Sequence, residues 1–109
     1  MIIAIAGPYS ADNAEDRLHN LNRMNEAAAR VLEMGHTPLI GVNAALPVLE
    51  MSIIEDPYES IMKISMAVIS ACEGILLIGE SPGALRERDW MIANNRPVFH
   101  SLDELKAIN

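Results

Sequence analysis

Glu87 is the residue with the strongest prospect of chemistry, because of the seven residues it closes: Ser81-Pro82-Gly83-Ala84-Leu85-Arg86-Glu87. They follow an apolar run, Gly74 to Ile78, that reads as a buried strand, and Gly79-Glu80 turns the chain. Proline is favoured at the first helical position, so Pro82 opens a helix. The first helical turn leaves N–H groups free for an anion. Glu87 then lies about two turns along that helix. It shares a side with Ala84, Trp90 and Met91, which suggests a partly enclosed face. A carboxylate held there suits a nucleophile at a sugar's anomeric carbon, or a base.

The elements that must position Glu87 alternate along the chain. Ile2 to Ala6 is apolar throughout, as in a strand buried on both faces of a parallel sheet, and ends at Gly7-Pro8. Ser10 or Asp12 is placed to cap the next helix, over 13–34, in which Leu18, Leu21, Met24, Ala28, Val31 and Leu32 recur at helical spacing. Gly35 stops it. Residues 37–42 predict a second strand, with Pro38 at its start. Residues 43–57 are the least regular stretch, with a turn or two of helix over 44–51. Residues 58–71 predict a helix, with Ile61, Ile64, Val68 and Ile69 on one side. The strand at Gly74, the helix over 82–94, a strand at 97–99 and a terminal helix follow. Ser101 and Glu104 have capping-box spacing at the start of that last helix.

A β-α-β-α-β-α-β-α order implies a parallel sheet with helices on both faces. All strand C-terminal ends then share one edge, where such sheets bind ligands. The loops there carry Gly7, Pro8, Tyr9, Ser10, Asn43, the 79–83 turn and His100-Ser101. Gly7 and Gly83 let backbone approach a ligand closely.

Composition removes several function classes. Net charge is −7, from 8 basic and 15 acidic side chains, and no basic stripe is present to neutralise a nucleic-acid backbone. A small nucleotide remains open, since helix N–H groups hold phosphate without lysine or arginine. There is no P-loop and no G-x-G-x-x-G. His19, His36 and His100 are scattered, and Cys72 is a lone cysteine that reads as a small core residue. No metal site, disulfide or cofactor is expected. No apolar run approaches the ~20 residues of a membrane helix. The opening residues lack the basic region of a signal peptide, so a reducing cytoplasm is expected.

Three stretches carry a resemblance: Ala6-Gly7-Pro8-Tyr9, Ala71-Cys72-Glu73-Gly74, and Ser81-x-Gly83-Ala84-x-x-Glu87 followed by Arg96-Pro97-Val98. Together they resemble the nucleoside 2-deoxyribosyltransferase-like superfamily, in its short bacterial and phage branch, over nearly the whole chain. The resemblance and the element order imply one domain over 1–109. Its fold is an α/β three-layer sandwich, Rossmann-like or flavodoxin-like, with a four- to five-stranded parallel sheet. The resemblance implies that Glu87 attacks the anomeric carbon of a deoxynucleoside or its 5′-monophosphate and expels the base. A second base or water then resolves the glycosyl-enzyme. It places Ser81 and the Gly83 and Ala84 N–H groups near the sugar 5′ end, and the Gly7–Ser10 loop along the pocket. It implies a homo-oligomer as well. The chain departs from the pattern at three positions. A family tyrosine is Ala4, an aspartate that orients the nucleophile falls at Ser65, and a second aspartate is Glu73. Tyr9 offers a hydroxyl in their place. Three readings therefore stand: an N-glycosyl-bond enzyme, a nucleotide-binding or sensing module of the same fold, and an oligomeric interaction protein with a vestigial cleft.

Overall fold

The computed structural model describes residues 1–108. Its sheet has four parallel strands, β1 (Ile2–Ala6), β2 (Thr37–Leu39), β3 (Gly74–Leu77) and β4 (Val98–Phe99), in the order β2-β1-β3-β4. Five helices connect and cover them: α1 (Ala14–Glu33), α2 (Gly41–Glu50), α3 (Pro57–Ser70), α4 (Pro82–Ala93) and α5 (Leu102–Lys106). This is the α/β, flavodoxin-like arrangement that the alternating pattern predicts.

Side chains of a strand alternate between faces, and here the alternation builds two cores. Ile3, Ile5 and Leu76 join Met24, Val31, Phe99 and Leu105 on the α1/α5 face. Ala4, Ala6, Ile75 and Leu77 join Ile69, Cys72, Ala84 and Met91 on the α3/α4 face. Each fully buried Ile, Leu or Met contributes roughly 1.5–3 kcal/mol relative to exposure. Pro38 pairs with Ile3 on the edge strand, where a missing N–H is tolerated.

Three local expectations are corrected. The helix α1 is capped by Asn13, not by Ser10 or Asp12: Asn13 Oδ1 accepts from the Asp16 N–H at 2.8 Å. The second strand ends at Leu39, and Gly41 and Val42 belong to α2. Val42, Ala45, Leu46 and Leu49 form a helical stripe, and burying it on α3 and the sheet outweighs the strand-like reading of 37–42. The turn or two of helix expected over 44–51 is accordingly a ten-residue helix, and the connection from β2 to β3 holds two full helices. At the other end, Ser101 Oγ accepts from the Glu104 N–H at 3.1 Å. The Glu104 carboxylate reaches back to the His100 N–H at 2.6 Å, one residue earlier than the usual box.

Candidate functional site

The chain leaves β1 toward the α1 face and leaves β3 toward the α4 face, although the two strands are neighbours. Their loops diverge at the sheet edge and open a crevice there. At its base the loops touch. A Cβ on Gly7 would stand 2.7 Å from Ile78 Cγ1, so only glycine allows this approach. The helices α2 and α3 wall the crevice opposite α4. The result is a cavity of about 260 Å³. A cavity of roughly 150 Å³ holds a benzene, so there is room here for one six-membered ring and a smaller group beside it.

Gly7, Tyr9, Ser10, Ser81, Gly83, Ala84 and Glu87 all line this cavity. Pro8 does not; it packs on the neighbouring loop, where a Cβ on Gly79 would come within 2.9 Å of its Cδ. Asn43 is turned away as well. It lies in the first turn of α2, exposed, with its Nδ2 donating to Asn25 Oδ1 at 2.8 Å. The His100-Ser101 loop is likewise outside the lining and is engaged in capping α5. Sequence reasoning missed the α3 wall of Tyr58, Ile61 and Met62. With Ser65 these residues stand at i, i+3, i+4 and i+7, one continuous helix face; that spacing was the available signal.

Glu87 is only 9% exposed, yet it lines the cavity. Its Oε1 accepts from Ser65 Oγ at 3.3 Å, a long hydrogen bond. Burial pushes the carboxyl up from 4.5 to about 7, with the Ser65 hydroxyl pulling weakly the other way. Near neutral pH the group is thus poised between carboxylate and acid, the range in which one side chain can attack or exchange a proton. On its other side Ser65 is pressed by α2, which crosses α3 very closely: a Cβ on Gly41 would lie 2.8 Å from Ser65 Cα.

The start of α4 differs from expectation in one respect. Ser81 Oγ accepts from the Ala84 N–H at 3.1 Å, and the Ser81 carbonyl accepts from Leu85 at 2.9 Å. The Ala84 N–H is therefore occupied by the cap. The Gly83 N–H keeps no acceptor among the described residues, and Gly83 lines the cavity.

Ala4 is fully buried on the α3/α4 face and is absent from the lining. Glu73 sits at the opposite edge of the sheet, where its Oε2 accepts from the Ile2 N–H at 2.7 Å. It serves strand pairing and not the cleft. Burial raises the Cys72 thiol to about 11, against the nearby Arg96 charge, so the thiol is inert. Among the described residues no three His, Cys, Asp or Glu side chains converge as a metal site, and no helix is long and apolar enough to cross a membrane. Compared with models of known protein families and with curated protein sequences, the chain matches none.

Proposed function

We propose that the cleft binds a nucleoside or nucleoside 5′-monophosphate and that Glu87 is the nucleophile of an N-glycosyl-bond reaction. One observation carries the reading. Among the described residues Glu87 is the single carboxylate on the cavity wall, nearly buried and held at about 7, at the switch point of the sheet. In the reaction a Glu87 oxygen forms a bond to the anomeric carbon. The glycosidic C–N bond breaks, and its electron pair leaves with the base, which takes up a proton. That proton comes from the Tyr9 or Tyr58 hydroxyl, both residues lining the cavity, and is restored to the tyrosine from solvent. Water or a second base then displaces Glu87.

The test is chromatographic detection of free nucleobase from deoxynucleosides and their monophosphates, with and without an acceptor base. Release is expected from the natural chain and not from Glu87→Gln. Because the ionised carboxylate attacks, kcat/KM should rise with pH along a limb centred near 7. Release that survives in Glu87→Gln refutes the reading.

A binding-only module is the second reading. It is favoured by the absence of a second carboxylate from the cavity wall and by Ser65 at the position where the resemblance implies an aspartate. It predicts thermal stabilisation without base release, about 2.7 kcal/mol at a ligand concentration of 100 Kd. The proposal also includes self-association, supported by Val48, Met51, Ile53 and Ile54, exposed together around the α2–α3 connection. Light scattering that gives a strict monomer removes that part. A reducing compartment is proposed on the single, buried, free Cys72.

A further inference from the structure

The Glu87 cavity adjoins a second one of about 670 Å³, and the two share Tyr9, Ser10, Tyr58 and Ile61 as a common wall. The outer chamber is completed by Ala11, Arg17, Leu46, Leu49, Glu50 and Pro57. Among the described residues Arg17 is the only Lys or Arg lining either chamber. Its guanidinium is held in place, since Nη1 donates to the Ala11 carbonyl at 2.9 Å. It forms no ion pair with a carboxylate among the described residues, whereas Arg30, Arg86 and Arg88 each do. Glu50 lies on the same rim, is exposed and makes no ion pair with Arg17. A half-buried, unpaired guanidinium with further N–H donors is suited to a phosphate or carboxylate oxygen. In a chain of net charge −7, that one cation also sets where an anion is tolerated.

From this geometry we infer that Arg17 is an anion-recognising residue, and that the outer chamber receives the phosphate of a ligand whose uncharged part fills the Glu87 chamber. The inference rests on the proposed function for the identity of that uncharged part. It moves the main phosphate contact from the start of α4, where Ser81 already occupies the Ala84 N–H, to the rim of α1.

The experiment compares deoxynucleosides with their 5′-monophosphates by calorimetry, and titrates inorganic phosphate while the Arg17 Nε–H resonance is followed by NMR. The natural chain should prefer the monophosphate at least tenfold, and phosphate alone should move the Arg17 signal saturably. Arg17→Gln should bring the preference close to one while nucleoside binding is retained. Because Arg17 also straps the loop at Ala11, Asn20→Ala is the control. It removes the neighbouring strap, Nδ2 to the Tyr9 carbonyl at 3.0 Å, without altering charge, and it should keep the preference. Equal loss in both variants, or a monophosphate preference that persists in folded Arg17→Gln, overturns the inference. Nucleoside binding without any phosphate effect overturns it while sparing the proposed function. Phosphate saturating Arg17 with no nucleoside binding supports the subsite and sinks the nucleoside reading. Silence from every probe ends both.

Discussion

Glu87 ties stability to pH in a direction opposite to most carboxylates. Its pKa is 4.5 in the unfolded chain and about 7 in the folded one. Between those values the folded state keeps a proton that the unfolded state has released, so stability falls as pH rises through that window and then levels. At 1.36 kcal/mol per pKa unit, the loss is about 3 kcal/mol. Glu87→Gln should flatten the curve and be the more stable protein above pH 7, as measured by thermal melts from pH 4 to 8. Parallel curves for the two proteins would contradict the burial cost assigned to the carboxylate. Ser65→Ala is the companion change. It removes the hydroxyl that favours the ionised form, so the Glu87 midpoint should move further upward in a carboxyl-carbon NMR titration. A midpoint that moves down would mean the hydrogen bond serves the neutral acid instead.

Among the elements, α2 and α3 act as one piece against the rest of the site. Gly41 presses on Ser65, so Gly41→Ala forces the two helices apart. We expect a cost of roughly 1–3 kcal/mol in urea unfolding, together with lengthening of the Ser65–Glu87 hydrogen bond and a Glu87 midpoint shifted upward. Unchanged stability would show that the crossing yields easily. On the far side, Arg96 fastens α3 to α4. Its Nη1 donates to the Ser70 and Cys72 carbonyls at 2.8 and 2.6 Å, and its guanidinium lies 4.9 Å over the Trp90 ring. Arg96→Met should cost about 1–3 kcal/mol, because two terminal carbonyls lose a charged donor. Chemical denaturation checks this, and a loss below about 0.5 kcal/mol would make the clamp ornamental. The strands β1 and β3 and the helices α1 and α3 were legible in the sequence, since unbroken apolar runs and 3.6-residue stripes are local signals, while α4 was legible from Pro82 at its first position. Of α2 only a turn or two over 44–51 was legible, because Leu39, Ile40 and Val42 extend an apolar run and Pro47 argues against helix. The stripe at 42, 45, 46 and 49 becomes decisive only when α3 is there to bury it.

For the molecule as a whole, the position of the site followed from topology, whereas its walls did not. Glu87, Ser81, Gly83 and the Gly7 loop could be placed at one sheet edge from alternation alone. Spacing puts Tyr58, Met62 and Ser65 on one helix face, but that this face meets them depends on packing between segments some 20 residues apart. Asn43 was misplaced for the same reason: it was read as a strand end and is the first turn of a helix. A carboxyl held at about 7 in a small apolar chamber also has a calorimetric consequence. At pH 7 it carries about half a proton on average. Any ligand that fills the chamber changes its surroundings and must draw from, or hand to, the buffer up to about half a proton. The observed heat of binding should therefore depend on the ionisation enthalpy of the buffer, with HEPES and Tris giving different apparent enthalpies for one and the same affinity, and Glu87→Gln should erase the difference.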